Sequence, residues 1–304
     1  MDEIISTKTD AGLCIHGNFI ANCKECSSEY DVEKENTLTA TSEGIVEKLK
    51  SAFLSPETSK KFLETPQPFD KLKILMKKLK KVWPEHDIYG LRNAFKLSAI
   101  TPEFSNIELK FTMSYSRSGL VSYEGKPIAI ELELKGLMDA QNEDELIAAF
   151  AALTESIYHE VEHIYYPGAD NSLNELEDIK DILDYISDPG EICAYAKQFA
   201  YRYTTEFPNQ PFDLEKMRSI AQNTRQGENY FVGCANPEVI QKYKAFGDIA
   251  KIHDDIVKWT QKYVEYLANR KSLSKQLSYC RDLMPLDKEA FLCYTVMLAV
   301  FTVN

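Results

Sequence analysis

The chain has 304 residues, 44% hydrophobic and 27% charged, enough for the core of one large or two modest domains. Its formal net charge of −12 argues against nucleic acid as the main partner, because phosphate binding depends on lysine and arginine. The longest apolar run, residues 290–303, is too short to span a bilayer, and the acidic, polar start MDEIISTKTD carries no secretory pattern. A cytoplasmic setting with reduced thiols is therefore expected for the seven cysteines, and no membrane partner.

The first predicted feature is a cluster of four soft ligands: Cys14, His16, Cys23 and Cys26. A C-x-x-C pair with a C-x-H pair just upstream is a tetrahedral zinc set, and the surrounding segment is too short and polar to hold a core. Residues 1–30 are expected to form a zinc-knuckle arm; a flexible arm with free thiols is the alternative. Residues 27–42 read as a polar linker and 43–98 as helices, making 31–100 a helical N-terminal region. Within it, Phe69–Trp83 places Leu72, Leu75, Met76, Leu79 and Trp83 on one face. Lys71, Lys73, Lys77, Lys78, Lys80 and Lys81 surround the other face, read as solvated.

Residues 107–116 (IELKFTMSYS) and 127–135 (PIAIELELK) alternate or run apolar as strands do, and Glu124-Gly125 is a hairpin signal. A helix is predicted over 143–165. Asn142 followed by Glu145 fits a capping box, Pro167-Gly168 fits a stop, and Leu146, Phe150, Leu153, Ile157 and Ile164 supply a core-facing side. A loop at 165–172 would rim a cleft, and another helix is expected near 172–186. Ser187-Asp188-Pro189-Gly190 announces a helix over 191–203. From Asp213 onward the chain reads as helical, with a long stretch over 237–270, a helix at 273–284 and a buried apolar tail.

The helix over 143–165 carries His159-Glu160-Val161-Glu162-His163, an H-E-x-x-H motif. Histidines four apart lie one turn from each other on one helix face, where a single zinc ion can take both imidazoles. The glutamate beside the first histidine can then accept a proton from a metal-bound water. Catalytic zinc usually keeps three protein ligands. A metzincin-type continuation would place glycine and histidine where this chain has Tyr166 and Ala169. Glu191, opening the next substantial helix, is the better third ligand; its bland role is to complement the helix dipole. Asp170 and Glu162 are weaker alternatives, Glu162 because it faces away from the histidines. For an oxyanion donor the candidates are Tyr195, Tyr201, Tyr203 and His253. Tyr195 comes first because it lies one turn beyond Glu191.

The constellation resembles the zincin metallopeptidases, and among them the gluzincins, in which H-E-x-x-H is followed by a glutamate on a later helix. The resemblance covers about residues 105–205, a third of the chain. It implies His159, His163 and Glu191 as ligands and Glu160 as general base. The separation between His163 and Glu191 is longer than in thermolysin-like members, and Gly190 stands where their second helix carries an asparagine. The Asp188-Pro189-x-Glu191-x-x-Ala194-Tyr195-Ala196 wording is similar to that of small phage and viral peptidases. The resemblance implies a sheet packed on the motif helix, with residues 120–135 as the edge that receives an extended peptide.

The expected fold is α+β and predominantly helical. A zincin-like catalytic core over 101–206 would have a small antiparallel sheet on the motif helix, followed by a helical region over 207–304. The expected function is zinc-dependent hydrolysis of a peptide or protein substrate. The rival is a non-catalytic scaffold of zincin type that keeps the metal for stability; the presence of Glu160 favours the enzyme, because a scaffold needs ligands but no base.

Overall fold

The computed structural model describes residues 32–53, 56–83, 94–113, 118–123, 126–166, 188–222 and 254–270. The Cys14, His16, Cys23 and Cys26 cluster, Asp170, the helix expected near 172–186, His253 and the apolar tail all lie outside the described residues.

Three helices come first: α1 (Val32–Phe53), α2 (Pro56–Leu63) and α3 (Pro68–Val82). The stretch expected as a linker thus belongs partly to α1. Its polar residues are compatible with burial because each finds a partner: the Thr39 hydroxyl donates to Glu35 at 2.9 Å, Ser42 to the Leu38 carbonyl at 3.1 Å, and Thr41 pairs with Thr101 at 2.6 Å. In α3, Leu75, Met76, Leu79 and the following Trp83 are buried as the periodicity predicts. Lys71 departs from the expected solvated face. It is buried, with its ammonium 2.6 Å from the Ala140 carbonyl and 5.2 Å from the centre of the Phe62 ring.

A four-stranded sheet follows, in the order β1-β2-β4-β3, formed by β1 (Ala94–Lys96), β2 (Glu108–Thr112), β3 (Gly119–Tyr123) and β4 (Lys126–Glu133). β1 lies in the region read as helical, and its antiparallel pairing with β2 ties that region into the sheet. The sheet is mixed rather than antiparallel. β3 and β4 form an antiparallel hairpin, and β4 returns between β3 and β2, where it runs parallel to β2. Ala129, Ile130 and Leu132 of β4 are fully buried, and an interior strand position hides them best.

The short α4 (Lys135–Asp139) leads into α5 (Glu143–Glu162). After residue 188 come α6 (Pro189–Glu206), α7 (Leu214–Gln222) and a helix over residues 254–270, here α8. The architecture is α+β and mostly helical. No helix among the described residues is long and apolar enough to cross a membrane.

The buried side chains form two clusters. One joins α1 to α5 and the sheet, and takes in Leu146, Phe150, Leu153, Ile157 and Val161 of α5. The other joins α6, α7 and α8 through Ile192, Phe199, Tyr203, Met217, Trp259 and Tyr263. α5 and α6 pack together between them.

Candidate metal centre

Local sequence signals set the ends of both helices. Asn142 Oδ1 accepts the Glu145 amide at 2.9 Å, and Glu145 returns a carboxylate oxygen to the Gln141 amide at 2.8 Å, a variant of the expected capping box. α5 ends at Glu162, short of the predicted 165. His163 follows with helical φ −64° and ψ −12°, so its side chain keeps the register of the helix. On α6, Asp188 Oδ1 accepts the amides of Gly190 at 2.8 Å and Glu191 at 3.3 Å, and Pro189 opens the helix. Glu191 therefore sits in the first turn, where an acid is electrostatically favoured, and also points across to α5.

Three side chains converge there. His159 Nε2 and His163 Nε2 are 3.2 Å apart. Glu191 Oε2 lies 3.6 Å from His159 Nε2, and Glu191 Oε1 lies 3.6 Å from His163 Nε2. Tetrahedral zinc with bonds of about 2.0–2.2 Å holds its donor atoms about 3.3–3.6 Å apart, close to the spacing of each of these pairs, with one Glu191 oxygen facing each imidazole. A second trio, with Glu160 in place of Glu191, is also compact, with donor atoms within 4.8 Å of one another. The Glu191 set meets the two imidazoles through two different carboxylate oxygens, and it leaves Glu160 beside the site.

The protonation states suit ligation. His163 Nδ1 stands 3.0 Å from the Tyr166 carbonyl, which can only accept; the proton is therefore on Nδ1 and the Nε2 lone pair faces His159 and Glu191. Burial holds the His159 imidazole well below its ordinary range, and a neighbouring charge on His163 would depress it further. Burial also lowers His163, against the opposing pull of the Tyr166 carbonyl and Asp188. Both rings are thus neutral near pH 7, the form that binds a metal. Burial, and then the Glu191 carboxylate, push Glu160 well above the usual carboxylate range.

Tyr195 lies at the site, its ring edge-to-face with His159 at 4.3 Å between centres. The alternatives are engaged elsewhere. Tyr201 stacks on Tyr158 at 4.3 Å, and the Tyr203 hydroxyl donates to the Pro211 carbonyl at 2.6 Å. Glu162 does turn from the histidines, but into the interior and not to solvent. Its Oε1 accepts the Tyr263 hydroxyl at 2.6 Å and its Oε2 lies 3.4 Å from Lys197 Nζ. Burial pushes its carboxyl up to about 8, with the Tyr263 hydrogen bond acting the other way.

Glu35, Lys197 and Tyr263 are the neighbours of the site that motif reasoning overlooks. A signal for the polar seam was nonetheless present. Glu155, Tyr158, His159 and Glu162 recur at helical spacing on α5, and Glu191, Tyr195, Gln198 and Arg202 recur on α6. Gln198 and Arg202 both reach Glu155 across the seam, at 3.4 and 3.5 Å.

No protein-family model matches the chain, and no curated protein or solved structure matches it either.

Proposed function

We propose that this chain is a zinc-dependent metallopeptidase, with His159, His163 and Glu191 as the metal ligands and Glu160 as the general base. The observation that carries the reading is the convergence of the two imidazole nitrogens, 3.2 Å apart, on the Glu191 carboxylate, one of whose oxygens lies 3.6 Å from each, with Glu160 adjacent. Bound zinc would supply a Lewis acid and lower the pKa of a coordinated water to near neutrality.

The protein's own groups account for the rest. Glu160 takes the proton of the attacking water on its carboxylate and passes it to the leaving amine. Tyr195, whose ring packs against His159, would donate its hydroxyl to the carbonyl oxygen as charge develops there. The substrate is a peptide or protein segment lying extended along β3, the outer strand on the hairpin side of the sheet.

One observation favours a second reading, a structural metal site in a scaffold: His159, Glu160, His163 and Glu191 are all buried, none more than 7% exposed. Zinc analysis combined with casein and peptide-library cleavage separates the two. Under the enzyme reading the wild type cleaves, and Glu160→Ala keeps its zinc and fold while losing about a hundredfold or more in rate. Stoichiometric zinc with no cleavage in either protein would establish the scaffold. Turnover in Glu160→Ala equal to wild type would remove Glu160 as the base.

A further inference from the structure

Beside the ligand set lie two carboxyl groups and an amine that the proposed chemistry does not use. Glu35 of α1, Glu162 of α5 and Lys197 of α6 are each 3% exposed or less. Lys197 Nζ is in direct contact with Glu35 Oε1 and lies 3.4 Å from Glu162 Oε2. The Tyr263 hydroxyl of α8 closes on the other Glu162 oxygen at 2.6 Å, and its ring centre stands 4.7 Å from Lys197 Nζ. Glu35 is held in turn by Thr39 at 2.9 Å. Four helices thus meet around one side chain.

Buried charge clusters are weak sources of stability, because desolvation consumes most of the attraction; what they supply is a defined geometry. Here the location matters. Glu162 lies between Glu160 and His163 on α5. Lys197 follows Glu191 by six residues on α6, about 9 Å along the axis and a third of a turn around it. A helix held at one point can rotate and slide. Held at two points separated in both height and angle, it can do neither.

We propose that Lys197 is a positioning residue for Glu191: its buried contacts with Glu35 and Glu162 hold α6 at the rotation and height that bring the Glu191 carboxylate onto the two imidazoles. The proposal rests on the metal-centre reading above.

The test is a Co2+ titration of the full-length chain, since the visible spectrum of bound Co2+ reports ligand number and geometry. Four proteins are compared: wild type, Lys197→Met, Tyr263→Phe and Glu191→Gln, each checked for fold by circular dichroism. Lys197→Met is expected to bind Co2+ about 10–100-fold more weakly, with an altered absorption band, as when the groups that orient metal ligands are removed. Tyr263→Phe removes one hydroxyl with little change in volume, and should shift both readouts in the same direction by less.

Wild-type affinity and spectrum in folded Lys197→Met, with weakened binding in Glu191→Gln, would overturn the positioning role and leave the metal centre standing. If Lys197→Met does not fold, Tyr263→Phe decides: an unchanged affinity and spectrum overturns the proposal. No Co2+ binding by the wild type, or binding unaffected by Glu191→Gln, would overturn the ligand assignment itself, and this proposal with it.

Discussion

At His163 one side chain is oriented from two directions. Its backbone keeps helical angles just past the end of α5, and its Nδ1 is tied to the Tyr166 carbonyl at 3.0 Å, so Nε2 is turned toward His159 and Glu191. Gly44 shows the opposite kind of constraint, where the absence of a side chain is what matters. A Cβ added there would lie 2.3 Å from Ile100 Cγ2. Helix propensity alone would make Gly44→Ala stabilising by about 1 kcal/mol. The clash outweighs that gain, because Cγ2 sits on the stiff β-branched carbon of Ile100 and cannot swing away as a chain end would. Gly44→Ala should therefore destabilise by about 1–3 kcal/mol in urea unfolding, and Ile100→Ala in the same chain should recover part of the loss. Equal midpoints for wild type and Gly44→Ala would show that α1 shifts freely at this crossing.

At the scale of elements, α5 and α6 meet through an unusual seam. Their apolar residues serve two different clusters, and the surface between them is rich in polar groups: two histidines, three glutamates, a lysine, a glutamine and an arginine. A metal bridging the two helices would add to a contact that gains little from apolar burial. Chelation with EDTA should accordingly lower the calorimetric Tm of the zinc-loaded chain. At free zinc a hundred times the Kd, the stabilisation amounts to about 2.7 kcal/mol. The shift should vanish in His163→Ala, which lacks a ligand. A Tm insensitive to both EDTA and zinc would mean that no metal spans the seam.

At the scale of the molecule, the position of the hairpin decides which edge could receive an extended peptide under the proposed function. Among the described residues β4 is enclosed between β2 and β3, and β3 is the outer strand on the hairpin side; β1 lies at the far side of the sheet. The expectation of an edge within residues 120–135 therefore narrows to Gly119–Tyr123. Hydrogen exchange of the Glu160→Ala chain with a saturating peptide should show slower exchange of β3 amides and no change in β1. Protection confined to β1, or to neither strand, would remove the proposed mode of binding.

Much of the candidate site was legible in the sequence because it is local. The spacing of His159 and His163 follows from the helical repeat, the start of α5 from Asn142 and Glu145, and the start of α6 from Asp188 and Pro189. Strands β2 and β4 were legible from alternation and apolar runs, and the buried face of α5 from its periodicity. What remained undecided from sequence depends on which distant segments meet. Glu191 could be picked out by its place at the start of α6, but its approach to both histidines depends on how α6 crosses α5. Lys71 read as part of a solvated face and Glu35 as part of a polar linker, and Lys197 drew no reading, since a charged residue is buried only when a partner far along the chain receives it. The parallel pairing of β2 with β4 likewise has no local signature, because it arises when the hairpin folds back between two strands. Helical repeat, capping and apolar pattern act over a few residues, and a sequence displays them directly. Burial of charge, and the register of one helix on another, are settled only by the whole packed chain.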